Sequence, residues 1–159
     1  MLQRIFPHQF DNRFDGHRLA LWLLGGLVAL KLVMSSNSIL NTASVAAGAD
    51  GFPLESYSVA AARAVLMLFA LMSLGQLILA VLGLVALIRY RAMVPLVYAV
   101  LLLEHVARRI IVQAYDVDRS GSAPVGFSIN IALLGLLTAG FALSLWPQTR
   151  RSSAATLAE

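Results

Sequence analysis

Cysteine is absent from the 159-residue chain, which excludes disulfides, thiolate nucleophiles and cysteine-ligated metal centres. Charged residues are scarce, at 13% of the chain, whereas soluble domains carry about 25%. Apolar residues make up 59%, and the mean hydropathy is +0.79. A soluble protein of this size cannot hide so much apolar surface from water. The composition therefore excludes a soluble enzyme, a nucleic-acid-binding domain and a disordered regulator, and it predicts an all-α, polytopic membrane protein.

Lysine is nearly absent as well, since Lys31 stands alone against 11 arginines. We interpret this bias as typical of a GC-rich genome and hence of a bacterium. The pI near 10.1 would indicate nucleic-acid binding in a soluble protein. Here it indicates membrane topology, because the arginines cluster at the ends of apolar stretches. We therefore expect the lipid bilayer, and no nucleic acid, as a partner.

Four stretches are apolar over the roughly 20 residues that a helix needs to cross a bilayer. They span about 18–40, 62–88, 92–115 and 126–146. They leave no room for a second domain, so we expect one membrane domain over residues 1–159, folded as a four-transmembrane-helix bundle. The turn Arg89-Tyr90-Arg91 is very short and predicts that the second and third spans form an antiparallel hairpin. Ser56 or Ser58 is expected to cap the second span.

Arginines are distributed unevenly between the two sides of these spans. Arg63 and Arg119 lie on one side, beside several acidic residues. The other side carries seven, which are Arg4, Arg13, Arg18, Arg89, Arg91, Arg150 and Arg151. Because the arginine-rich side faces the cytoplasm, we predict a bacterial inner-membrane protein with both termini cytoplasmic. Cleavage of the first span as a signal peptide is disfavoured, since Lys31 interrupts its apolar region.

The amino-terminal segment carries an aromatic repeat ahead of the first span. Phe6, Phe10 and Phe14 follow one another at a spacing of four, among charged residues. This spacing predicts a short interfacial helix whose aromatic side chains lie in the headgroups and anchor the first span. Docking of this segment to a partner protein is the alternative.

The third span has one polar side. At 100° per residue, its opposite arc is wholly apolar and is expected to face lipid. The polar side holds Tyr98, Glu104, His105, Arg108, Arg109 and Gln113. We expect this side to face the bundle interior or a partner.

Lys31, Gln76 and Glu104 share one depth in the bilayer. Each is separated by 13 residues from an arginine at the cytoplasmic interface, the intervals being 18 to 31, 76 to 89 and 91 to 104. Such an interval rises about 20 Å, close to the middle of a hydrocarbon core about 30 Å thick. A lone charge there costs at least ~2.5–3.5 kcal/mol. We therefore predict that Lys31 bonds Glu104, with Gln76 nearby; pairing of Glu104 with Arg108, or a shared arrangement, stays open.

Arg108 and Arg109 lie nearer the opposite surface, where they are expected to snorkel to the headgroups. Asn130 of the fourth span starts at a similar level and is a candidate acceptor. Two interpretations of the whole set are open: an ion-pair network that holds the helices in register, or a pathway for protons, ions or a small anionic solute. Haem ligation by His105 is disfavoured, because the other histidines, His8 and His17, lie at the cytoplasmic end.

The segment from Asp116 to Gly121 is similar to the opening of an EF-hand calcium loop. That loop needs an acid at its twelfth position, which here is Phe127, so we predict a turn and no metal.

The sequence has no hydrolase triad, zinc motif or phosphate-binding loop. We therefore expect neither enzymatic activity nor a cofactor.

Small residues recur at intervals of four in the fourth span. The two pairs are Gly135 with Ala139 and Gly140 with Ser144. This spacing favours close helix packing, either within the bundle or against another subunit.

The segment Asn12-Arg-Phe-Asp-Gly-His-Arg-Leu-Ala-Leu-Trp22 and the ending Leu143-Ser-Leu-Trp146 resemble uncharacterised small four-helix inner-membrane proteins of proteobacteria. That group implies no activity. Four-helix multidrug transporters also have a membrane-embedded glutamate, but theirs lies in the first span, where this chain has Lys31. We expect an accessory or assembly protein that acts through transmembrane helix contacts with other membrane-protein subunits or with itself. The alternative is a small transporter or channel subunit that uses the polar residues around Glu104.

Overall fold

The computed structural model describes residues 5–6, 11–115 and 124–146, with side chains from residue 129 onward in the last stretch. All regular elements of these residues are helical. The α-helices are α1 (Arg18–Leu40), α2 (Thr42–Gly48), α3 (Val59–Arg89), α4 (Val94–Ala114) and α5 (Pro124–Leu145). Short 3-10 turns lie at Leu54–Ser56 and Arg91–Met93. The long helices therefore coincide within a few residues with the four predicted spans.

Two of these helices, α1 and α3, are long and apolar enough to cross a membrane. Helix α4 carries Glu104, Arg108 and Arg109 within its apolar sequence. In α5 the apolar stretch with described side chains is shorter, Ile129–Leu145. The chain is thus all-helical with two candidate membrane-spanning helices, and the four-span bundle remains a prediction.

Polar side chains set where the first long helices begin. The Ser58 hydroxyl accepts a hydrogen bond from the Ala61 amide at 3.2 Å, which confirms one of the two predicted caps of α3. At the start of α1, the His17 Nδ1 accepts from the Leu19 amide at 3.2 Å. Each contact satisfies an amide that has no partner inside the first turn of its helix.

The connection between α1 and α3 is more ordered than a loop. Helix α2 occupies part of it, and Gly51 follows with a φ of 69°, a conformation that favours glycine. The Phe52 ring then meets the Phe69 ring edge to face, with centroids 6.2 Å apart. This contact holds the connection against the first half of α3.

The helices form a bundle in which α1 packs against α3 and α5, while α4 packs against α5 and, less closely, α3. The core is built by α1, α4 and α5. Its buried members are Ala20, Leu24, Leu27, Val28, Val94, Tyr98, Leu101, Leu133 and Leu137. Helix α3 contributes little to this core, so most of its apolar surface stays uncovered.

Tyr98 ties three helices together at the centre of the core. Its side chain is fully buried, and its hydroxyl donates to the Ala20 carbonyl at 2.7 Å. Its ring lies where a Cβ on Gly140 would stand, so α5 can approach only because residue 140 has no side chain. Ser144 is also buried, whereas Gly135 has open space and Ala139 is exposed. Of the two predicted small-residue pairs, Gly140 and Ser144 therefore pack inside the chain's own bundle, whereas Gly135 and Ala139 do not.

The amino-terminal segment differs from the prediction at Phe14. Residues 11–17 are not helical, and the Phe14 ring packs against the buried core. Phe6 is exposed, and Phe10 lies outside the described residues. The spacing of four therefore does not place Phe14 in a helical headgroup stripe. A Cβ on Gly16 would meet the Ser144 carbonyl and the Phe14 ring, so this segment packs tightly against the end of α5.

Candidate functional site

Four polar side chains meet inside the bundle, and we call Lys31, Gln76, Glu104 and Arg108 the polar cluster. The Lys31 ammonium donates to Gln76 Oε1 at 2.5 Å, and Gln76 Nε2 donates to Glu104 Oε1 at 2.6 Å. Arg108 Nε lies 3.2 Å from the same oxygen. Helices α1, α3 and α4 are joined by these contacts, which therefore resist sliding of one helix along another.

The structure contains the predicted pairing of Lys31 with Glu104 as an ion pair, and Gln76 bridges the two charges. The distance from Lys31 Nζ to Glu104 Oε2 is 3.6 Å, an ion pair longer than a hydrogen bond. The Gln76 amide lies between the two charges, since it can accept from an ammonium and donate to a carboxylate at once. The shared arrangement that the sequence left open is the one observed.

Arg108 makes the pairing with Glu104 that the sequence left open. Its Nε contacts Glu104 one helical turn away, so two cations share one carboxylate and the polar cluster carries a net positive charge. Glu104 Oε2 is buried without a hydrogen-bond partner among the described residues. In surroundings of low dielectric such charges interact strongly, and removing one leaves the others uncompensated.

His105 is buried next to the polar cluster, with 3% of its surface exposed. Its Nε2 lies 3.1 Å from the backbone carbonyl of Asn130 on α5. Its Nδ1 is buried and has no hydrogen-bond partner in the part of the chain that the structure describes. The structure thus brings the predicted residues His105 and Asn130 together through the Asn130 main chain.

A cavity of about 650 Å³ lies beside His105 and Arg108, in the half of the bundle that contains α2. Helix α3 supplies an apolar wall, and α4 supplies a polar wall that includes Arg109. The lining residues are Ala49, Asp50, Phe52, Val65, Leu68, Phe69, Met72, His105, Arg108, Arg109, Val112, Gln113 and Asn130. Sequence reasoning missed this cavity, because it depends on how far α3 stands from α4.

Packed side chains fill the bundle on the other side of the polar cluster, toward Arg18. Leu24, Val28, Tyr98 and Leu101 are each exposed by 1% or less. The buried positions on α4 are Val94, Pro95, Tyr98, Leu101 and His105, while Leu103 and Ile110 are 71% and 60% exposed. The two arcs of α4 are therefore arranged as its sequence predicts, except that Gln113 of the polar side is exposed.

Within the described residues, no group of three or more histidine and acidic side chains is placed to hold a metal ion. The calcium-like segment from Asp116 to Gly121 lies outside those residues.

No protein-family model, no curated protein and no solved structure matches the chain. The resemblance of its two ends to small inner-membrane proteins of proteobacteria stays a prediction.

Proposed function

We propose that this chain is a four-span protein of the bacterial inner membrane, with both termini cytoplasmic, that acts as an accessory or assembly protein through transmembrane helix contacts. The uncovered surface of α3 carries the proposal. This helix has 31 residues and buries five of them, Phe69, Ser73, Ala80, Gly83 and Ala86. An apolar surface of this extent in a soluble protein would drive aggregation, so lipid or another membrane helix has to cover it.

The exposed face of α3 also has the form of a helix-packing surface. Leu71 and Ile78 are more than half exposed, and Gly75 stands between them with open space around it. A glycine on an apolar face lets a second helix approach closely, and the van der Waals packing that results favours helix association in membranes. Helix α3 is about 46 Å long, so it offers this face across the whole hydrocarbon core of about 30 Å.

The aromatic residues support the proposed orientation. Trp22 and Trp146 are 80% and 68% exposed and lie at the end of the bundle that begins with Arg18. Tryptophan collects at membrane–water interfaces, and arginine on the cytoplasmic side of that interface. The polar cluster supports insertion of α4, because Glu104 is partnered by Lys31, Gln76 and Arg108 and is not a lone charge in the bilayer.

Site-specific photocrosslinking in cells tests the accessory role. Benzoylphenylalanine replaces Leu71 or Ile78 on the exposed face of α3, and Leu103 on the exposed arc of α4 serves as the matched control. We expect discrete protein adducts from the two α3 positions and lipid adducts from Leu103. Lipid adducts alone from all three positions would contradict the proposal.

The cavity beside the polar cluster favours a second candidate, a small transporter or channel subunit. Such a protein has to let water reach Glu104 from at least one side. His105 lines the cavity, so a cysteine there reacts with a water-soluble maleimide under either proposal. Leu101 lies one turn deeper and is 1% exposed. Labelling of a cysteine at this position therefore distinguishes the accessory proposal from the transporter proposal.

The chain has no native cysteine, which permits single-cysteine labelling without background. A thiol reacts as its thiolate, and the thiolate needs water. The accessory proposal expects Leu101→Cys to stay unlabelled in membranes, like Leu103→Cys facing lipid. Rapid labelling of Leu101→Cys with Leu103→Cys silent favours the transporter instead.

A further inference from the structure

The cavity between α3 and α4 has walls of opposite character. Val65, Leu68 and Phe69 form the apolar side, while His105 and Arg108 lie on the other. Its volume of about 650 Å³ falls within the ~300–1,000 Å³ typical of small-molecule sites. A ligand that fits both walls needs an apolar body and a polar group on one end or side.

The charged side chains beside the cavity decide whether the polar group of the ligand should be anionic or cationic. The polar cluster has two cations and one carboxylate, and the cavity lining adds the cation Arg109 and the carboxylate Asp50. The formal charge of these five side chains is therefore positive. Arg108 contacts Glu104 through Nε, lines the cavity and is partly exposed, and a guanidinium carries four further N–H donors that can reach a ligand. An anionic acceptor therefore suits this wall, and a cation does not.

The hydrogen-bonding state of His105 further limits which polar group the ligand can carry. A carbonyl oxygen only accepts hydrogen bonds, so the contact with Asn130 requires the hydrogen of His105 to be on Nε2. In the neutral ring Nδ1 is then an acceptor, and it is buried without a partner in the described part of the chain. Because His105 and Arg108 are three residues apart on one helix face, a single group can reach both.

We propose that this cavity binds a carboxylic acid with an apolar body. The acid enters with its proton, which passes to His105 Nδ1. The resulting carboxylate accepts from the Arg108 guanidinium with one oxygen and from the Nδ1–H with the other. The apolar body lies along the α3 wall beside Val65 and Phe69. The site is independent of whether the protein acts as an accessory protein or as a transporter.

Thermal unfolding of the full chain in phosphatidylcholine nanodiscs tests this site. The probes are dodecanoate, dodecanol and dodecyltrimethylammonium, which share one chain and differ in the headgroup, and benzoate, which shares the carboxylate without the chain. A ligand that binds the folded state raises the melting temperature. We expect a saturable rise with a carboxylate probe and little change with the alcohol or the ammonium compound.

The two carboxylate probes distinguish the source of the ligand. A rise with dodecanoate alone assigns the site to a fatty acid from the membrane, whereas a rise with benzoate as well assigns it to hydrophobic acids that also enter from water. Equal rises with dodecanoate and dodecanol, or no rise with either carboxylate, would overturn the proposal.

Variants locate the binding in the cavity. Arg108→Gln removes the guanidinium and is expected to weaken carboxylate binding about tenfold or more, as for a charged hydrogen bond. Because that change also disturbs the polar cluster, Val65→Trp provides a second variant that fills the apolar wall and leaves every charge in place. The matched control is Ile110→Trp on the exposed arc of α4. Val65→Trp should abolish the rise and Ile110→Trp should keep it; an undiminished rise in Val65→Trp contradicts the assignment.

Discussion

Gln76 donates a 2.6 Å hydrogen bond to Glu104 while it accepts one from Lys31, so a neutral amide connects two charges that are not themselves hydrogen-bonded. Helices α1, α3 and α4 therefore depend on one another at this point. Replacing any one of the three side chains should lower the stability of the protein, because it leaves a buried polar group of the other two without its partner.

The ion pair is expected to show coupling in a double-mutant cycle. Lys31→Met and Glu104→Gln should each destabilise the protein, by about 3–5 kcal/mol if they behave as broken buried pairs elsewhere. The double variant should recover part of that loss, because two uncharged partners leave no orphan charge. Melting temperatures in mild detergent measure the effect, and strictly additive losses would show that the two residues are not coupled.

The amide bridge is tested separately with Gln76→Leu. This variant removes two hydrogen bonds inside the polar cluster and should cost about 1–3 kcal/mol, the penalty for leaving buried polar groups unpaired. Gly26→Ala is the control, because residue 26 on α1 is exposed, has open space around it and lies outside both the polar cluster and the exposed face of α3. Equal melting temperatures of the two variants would argue against a stabilising bridge.

A methyl group on Gly140 should disrupt the packing of α5. Its Cβ would meet the fully buried Tyr98 ring, which has no room to move, so Gly140→Ala is expected to cost about 1–3 kcal/mol by overpacking. Gly135→Ala on the same helix meets nothing and should be neutral or stabilising by up to about 1 kcal/mol. Unfolding of the two variants side by side in detergent provides the comparison. If both behave alike, Gly140 does not set the approach of α5.

The Tyr98 hydroxyl is expected to contribute through its bond to the Ala20 carbonyl. Tyr98→Phe keeps the ring in place and removes only the donor, so the loss should be about 0.5–1.5 kcal/mol. The same unfolding measurement detects it. A melting temperature unchanged from that of the natural chain would mean that water or another group replaces the bond.

The proposed topology is tested with alkaline phosphatase, which is active only outside the cytoplasm. Fusion after Glu159 should be inactive, because the arginine-rich side of the chain is expected to be cytoplasmic. Fusion within residues 45–55 should be active, since that connection lies at the opposite end. The reverse pattern of activities would overturn the orientation.

Features that depend on neighbouring residues could be predicted from the sequence. The four long helices follow their apolar runs, and Ser58 caps α3 through contacts within one turn. The shared depth of Lys31, Gln76 and Glu104 also follows from counting, because the rise per residue of a helix is constant. The buried arc of α4 is predictable for the same reason, since its period is constant too.

Features that depend on how the helices face one another could not be predicted in this way. Depth alone does not say whether Lys31 meets Glu104 or Gln76, because that choice depends on the rotation of α1 and α3 about their axes. The Phe14 spacing predicted a helical stripe, and packing of the ring on the core overrode it.

The sequence by itself therefore determined that the chain is helical and apolar, where its long helices begin and end, and which residues lie at one depth. Each of these follows from local geometry along one helix. Only the tertiary structure decided that Gln76 lies between the two charges, that Gly140 admits Tyr98, and that α3 and α4 stand apart at a cavity. The physical reason is that side chains far apart in sequence meet only where helix rotation and spacing bring them together.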